Sequence, residues 1–197
     1  MTSPVISKNN KKHHHLFFVC SRFLKVFLLI CLLSAFTAIS NAQLLPGFKQ
    51  SGPLKEQELI IKDQWKNVIV DICAPSQFNP KGKTHLIFFA LPNGNSIEWT
   101  KGKKPKAGDD WHFDIQHIAA QTRYIRAIDK KNNYIVAYLM TSQKSWPPWK
   151  RNTTDSIYII RNIVDSITNM FKAYDPAIVL NGHSGGGSFI FGYLDAV

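Results

Sequence analysis

Cysteine is scarce in this chain: Cys20, Cys31 and Cys73 are the only three in 197 residues. That scarcity excludes a disulfide framework of the kind that staples small secreted modules. Acids are also few, 13 against 24 Lys and Arg, and no internal repeat or low-complexity tract is present. A repeat architecture is thereby excluded, and nothing resembles a nucleic-acid-binding module. The apolar run from Val26 to Leu33, continued through Ser34 to Ala38, falls short of the ~20 residues that a bilayer-spanning helix needs. What remains is ordinary globular composition, with 45% hydrophobic and 12% aromatic residues, enough for one core and one domain.

The apolar run has a different use. Lys8, Lys11, Lys12, Arg22 and Lys25 precede it with no acid among them, and Ser40, Asn41 and Ala42 follow it with small residues at the two positions a signal peptidase reads. A basic segment, an apolar segment and a small-residue site define a signal peptide over 1–42, with cleavage after Ala42. Secretion or a periplasmic location follows. Cys20 and Cys31 leave with the leader, so Cys73 becomes a lone thiol inside the apolar stretch Val68 to Ala74, suited to burial. The mature chain keeps 19 basic residues against 13 acids, a net charge of +6. Lys101, Lys103, Lys104 and Lys106 are its densest cluster, a solvated loop that an anionic envelope surface would also suit.

Periodicity predicts the elements. Residues 43–57 read as an extended lead-in, and Glu58 to Lys62 with Asn67 to Ala74 as two strands joined by a tight turn at Asp63 to Lys66. Thr84 to Leu91, Tyr134 to Met140 and Ala177 to Leu180 are short apolar runs typical of strands covered on both faces. Ile115, Ile118, Ala119, Thr122, Tyr124, Ile125 and Ile128 predict a helix over about 113–129. Residues 141–154 read as a loop, and Thr154 or Asp155 is expected to cap a helix striped by Ile157, Ile160, Ile163, Val164, Ile167 and Phe171. Strands alternating with helices imply an α/β fold, a mostly parallel sheet with helices on both faces.

The chemistry-bearing motif sits where the last strand ends. Gly182, His183, Ser184, Gly185 and Gly186 satisfy G-x-S-x-G between a predicted strand and a predicted helix. Such a serine occupies a sharp, strained turn, and the glycines two residues to either side let strand and helix approach. The N–H of Gly185 is then placed to donate to an oxyanion. A second donor is expected from the loop 92–96, where Gly94 permits close approach and Asn93 or Asn95 supplies an amide. One such donor is worth ~3 kcal/mol of transition-state stabilisation.

With that motif and that order of elements, the chain over about 58–197 resembles the amino-terminal portion of the α/β-hydrolase superfamily, esterase-like and serine-dependent. The resemblance implies Ser184 as nucleophile, Gly185 as oxyanion donor, and His183 as the variable residue behind the nucleophile. It also implies ester hydrolysis through an acyl-enzyme, with no cofactor and no metal. In that family the catalytic acid and then the histidine follow the serine along the chain. Thirteen residues follow Ser184, with Asp195 the only acid and no His, so the fold is expected to be a half-fold that stops after the nucleophile and turns over poorly by itself. The alternative is a non-catalytic secreted binding or scaffold protein on a hydrolase-like fold. Trp146 and Trp149 are candidates for a substrate cleft. His112, Asp114 and His117 have a spacing compatible with metal ligands but read better as a helix start, and Asn152 to Thr154 form a glycosylation sequon.

Overall fold

The computed structural model describes residues 44–109 and 117–197. The segment 1–42 read as a signal peptide, together with His112, Asp114 and the start of the helix expected from residue 113, lies outside the described residues. Six strands form one sheet: β1 (Lys49–Ser51), β2 (Glu56–Trp65), β3 (Val68–Ala74), β4 (Thr84–Ala90), β5 (Asn133–Thr141) and β6 (Ala177–Gly182). Their spatial order is β1-β2-β3-β5-β4-β6. The pairings β1·β2, β2·β3 and β3·β5 are antiparallel, whereas β4 pairs in parallel with β5 and with β6. The sheet is therefore mixed rather than mostly parallel. Four strands still share one direction, because β3 and β1 alone run against the rest.

Two of these strands differ from expectation for clear reasons. β1 lies inside the segment read as a lead-in, held by backbone pairing of Lys49 to Ser51 with Glu56 to Glu58. β2 runs on through the expected turn to Trp65, with a register shift between Ile61 and Trp65 where Asp63 takes φ 62°. Trp65 pulls the strand onward: it is 5% exposed, and its Nε1 donates to Asn162 Oδ1 at 2.8 Å. The reversal then falls at Lys66 and Asn67, and Asn67 carries the left-handed φ of 55° that asparagine tolerates.

Helices α1 (Ile97–Lys101) and α2 (Ile118–Ile128) fall between β4 and β5, and α3 (Trp146–Asn152) and α4 (Ser156–Met170) between β5 and β6. Helix α5 (Gly187–Leu194) follows β6. Side chains alternate across the sheet, so Leu86, Phe88 and Ala90 of β4 join Ile160, Ile163, Val164, Ile167 and Phe189 in the larger core. Phe89, Leu91, Val136 and Tyr138 pack on the other face with Ile97 and Ile118. The crossover β4→β5 thus covers one face, and β5→β6 covers the other as it steps past β4. The direction of winding reverses between β4 and β6, and the carboxyl ends of those strands border a topological switch point.

Helix α3 was expected to be loop. Pro147 and Pro148 stand in its first turn, where a missing N–H costs nothing, so the Trp-Pro-Pro-Trp run starts a helix instead of preventing one. Asp155 adopts φ 58° and makes no side-chain cap to α4. The apolar stripe expected on α2 is also corrected. Tyr124 and Ile128 are each 66% exposed, while Ala119 and Thr122 are buried. Arg123 and Arg126 on that inner side hold the buried Glu56, with Arg126 also donating to the carbonyls of Cys73 and Tyr134. Cys73 is buried, and burial pushes its thiol above the ordinary range.

The turn after α2 carries a testable electrostatic feature. The Tyr134 hydroxyl, the Asn132 amide and the Lys131 N–H all donate to Asp129, holding its carboxyl at about 2. A depressed carboxyl contributes stability above its ordinary pKa of 3.8 and loses it as pH falls through about 2. Replacing Tyr134 with Phe removes the foremost donor. A carboxyl NMR titration of Tyr134→Phe should show Asp129 moving up toward 3.8, and an unmoved Asp129 would refute this account.

Candidate functional site

Strand β6 ends at Gly182, His183 remains extended, and Ser184 turns the chain with φ 51° into a short 3-10 segment, Ser184–Gly186, that feeds α5. A non-glycine residue in the left-handed region costs about 1 kcal/mol, so surrounding structure has to enforce it. Here the Gly186 N–H donates to the His183 carbonyl at 2.9 Å, closing the turn around Ser184. The glycines then allow the layers to meet. A Cβ on Gly182 would stand 3.1 Å from the Gly186 carbonyl carbon, and one on Gly186 would overlap the Ala90 carbonyl oxygen and lie 2.8 Å from its carbon. The bend is therefore wedged against the carboxyl end of β4. Ser184 itself is exposed at that edge of the sheet.

The loop after β4 does reach the bend, though by another route than its backbone amides. Gly94, at φ 80°, donates its N–H to the Lys144 carbonyl at 2.8 Å, and the Asn95 N–H goes to the Pro92 carbonyl at 3.3 Å. Those two amides are occupied, so of the expected pair Asn93 or Asn95 the Asn95 backbone amide is engaged within its own loop. The Asn93 side chain makes the approach instead. Its carboxamide packs on Gly185 with the oxygen foremost, so that a Cβ there would overlap Oδ1 and stand 2.9 Å from Nδ2. The Ser145 hydroxyl donates to Asn93 Oδ1 at 2.9 Å and so fixes the carboxamide. Ser145 carried no motif, and only the proximity of the β4 and β5 loops reveals it.

Other candidates separate from this bend. Trp146 and Trp149 are 1% and 0% exposed and belong to the larger core, Trp146 edge-on to Phe189 of α5 and Trp149 donating to the Lys66 carbonyl at 2.8 Å. They support the bend from beneath and line no open cleft, because burying two indoles outweighs exposing them. His85 stacks on Tyr134 and sits on β4 just after its amino end. The ring of His117 crowds Gly102 at the end of α1. Among the described residues no group of three or more His, Cys, Asp or Glu is arranged to hold a metal ion.

The lysine cluster is split. Lys104 and Lys106 are exposed, and Lys103 pairs with Asp109 at 3.2 Å and lies over the Trp99 ring. Lys101 is withdrawn from the loop surface: its ammonium bridges Glu58 and Asp71, the latter at 2.8 Å. Burial pushes the Asp71 carboxyl up, and Lys101 offsets this only in part. The ammonium is held above its ordinary value, since the two carboxylates outweigh the burial that opposes its charge.

Fold and bend together define an α/β protein with a strained serine at the carboxyl edge of a mixed sheet. No protein-family model matches the chain, and no curated protein matches it.

Proposed function

We propose that this chain carries the nucleophile-bearing half of a serine hydrolase of the α/β-hydrolase type, acting on carboxylic esters through an acyl-enzyme on Ser184. The observation that supports this reading most is the left-handed Ser184 at a strand-to-helix bend beside the switch point, between Gly182, where a side chain would be tight, and Gly186, where one would overlap the β4 backbone. A strained, exposed serine at the turn into a following helix is the arrangement that nucleophile chemistry uses. In this reading the Gly185 N–H is the first oxyanion donor. The Asn93 carboxamide, held by Ser145, closes over Gly185 beside that donor. The leader pattern of 1–42 supports a location outside the cytoplasm, where Lys104 and Lys106 suit an anionic surface.

Covalent labelling tests this directly, because it reports the setting of the serine even where turnover is slow. A fluorophosphonate should modify Ser184 ahead of every other serine in the full chain, read by peptide mass spectrometry, and Ser184→Ala should remove the dominant adduct. Labelling spread evenly over the serines, or absent from Ser184, would defeat the nucleophile assignment and favour the non-catalytic scaffold.

A further inference from the structure

The sheet ends on two unlike edges, β1 and β6. β1 is three residues long, carries Lys49 and leads into a turn at Gly52 and Pro53, features with which sheets discourage further pairing. β6 is six residues long, has no lysine, proline or register break, and is bonded among the described residues to β4 alone. Its outer N–H and C=O groups form an unprotected template for another strand. Ile178 and Val179 are exposed on its two faces.

A second apolar patch adjoins this edge. On α5, Phe189 and Gly192 face inward against Trp146 and Ile160, and Ile190 reaches Gly182 of β6. Leu194 follows Ile190 by one turn and so rises on the β6 side of the helix, with Phe191 one turn before it, and both are exposed. From Pro176 to Leu194 no Lys, Arg, Asp or Glu occurs, although the whole chain carries a net charge of +11. Two copies of so basic a chain repel each other everywhere except along a neutral seam of this kind.

We propose that β6 pairs antiparallel with β6 of a second copy of this chain, about a two-fold axis normal to the sheet, so that the two sheets become one. Such an axis keeps each face on its own side. Centred on Val179, it opposes Val179 to Val179, Ile178 to Leu180 and Ala177 to Asn181, so that apolar side chains meet apolar ones. The same register carries Asp175, just before the strand, toward His183 of the other copy, just after it, and brings both α5 helices to one face of the seam. The contact is isologous and closes at two copies. It does not rest on Ser184 as nucleophile, because the two serines lie at opposite ends of the seam.

Sedimentation velocity of the full chain should show a monomer–dimer equilibrium with Kd of about 100 μM or tighter. Amide hydrogen exchange should slow across β6 as concentration rises. Val179→Lys, which sets like charges directly opposite each other, and Phe191→Lys should each weaken the dimer at least about tenfold. A short bis-maleimide should join Val179→Cys to itself, read as a self-linked peptide by mass spectrometry, because opposed Cβ atoms lie ~5 Å apart. A monomer at about 1 mM or a dimer indifferent to both lysine variants would overturn the proposal. So would β6 amides protected equally at every dilution, which would place a segment of the same chain on the edge. Should Val179→Lys fail to fold, Val179→Cys and exchange on the unaltered chain still decide it. Ser184→Ala should dimerise like the unaltered chain, so failure of the hydrolase reading and failure of this one are separable.

Discussion

Gly186→Ala is expected to destabilise the protein by about 3 kcal/mol or more and to abolish selective labelling at Ser184. One methyl group suffices because of what it meets. The added Cβ would overlap the Ala90 carbonyl oxygen and stand 2.8 Å from the carbonyl carbon, with the Leu91 carbonyl oxygen 3.2 Å away. These are backbone atoms of a central strand paired on both sides, so no rotamer change relieves the clash. Either β4 shifts or the 3-10 turn moves out, and the second movement releases the left-handed φ of Ser184. Gly185→Ala provides the contrast: its Cβ would meet only the Asn93 side chain, which can rotate away. Chemical denaturation should therefore show a much larger loss for Gly186→Ala, while Gly185→Ala chiefly dislodges Asn93. Comparable, small losses for both would show that the bend is not wedged against β4.

The bend was legible in the sequence because its constraint is local. Glycines at 182 and 186 around a serine, placed after an apolar strand, specify one backbone geometry whatever lies beyond. The apolar runs of β3, β4 and β5 were legible for a similar reason, since strands covered on both faces have little choice of residue. What failed depended on partners distant in the chain. Trp65 extends β2 because Asn162 awaits its indole, and α2 turns Arg123 and Arg126 inward because Glu56 is buried opposite them. Hydrophobic periodicity is blind to a helix anchored by ion pairs, so Tyr124 and Ile128 were assigned inward wrongly. The Trp-Pro-Pro-Trp run was open to a better reading: prolines in a first turn start helices, and that signal was in the residues. Lys101 had no such signal. Only the register that sets Glu58 and Asp71 on neighbouring strands shows why it leaves its cluster.

Lys101→Met should then cost about 3 kcal/mol at neutral pH, a loss that shrinks on acidification. Methionine keeps the bulk of the stem, so the change removes a charge more than a shape. Replacing a whole buried ion cluster with apolar groups is often neutral, but removing its one cation strands Glu58 and Asp71 together in a poorly solvated site. Asp71 is the more deeply buried of the two, and burial already raises its carboxyl while Lys101 opposes the rise. Without Lys101 that opposition vanishes, and the like charge of Glu58 pushes the same way. A carboxyl whose folded pKa lies above its unfolded value favours folding less as pH climbs from 3.8 through the folded pKa. The deficit of Lys101→Met is therefore full above that folded value and fades toward pH 4, where both carboxyls take up protons. Urea denaturation of the two proteins at pH 8 and pH 4 measures the difference. A deficit independent of pH would mean that the lysine stem, and not its charge, holds α1 to the sheet.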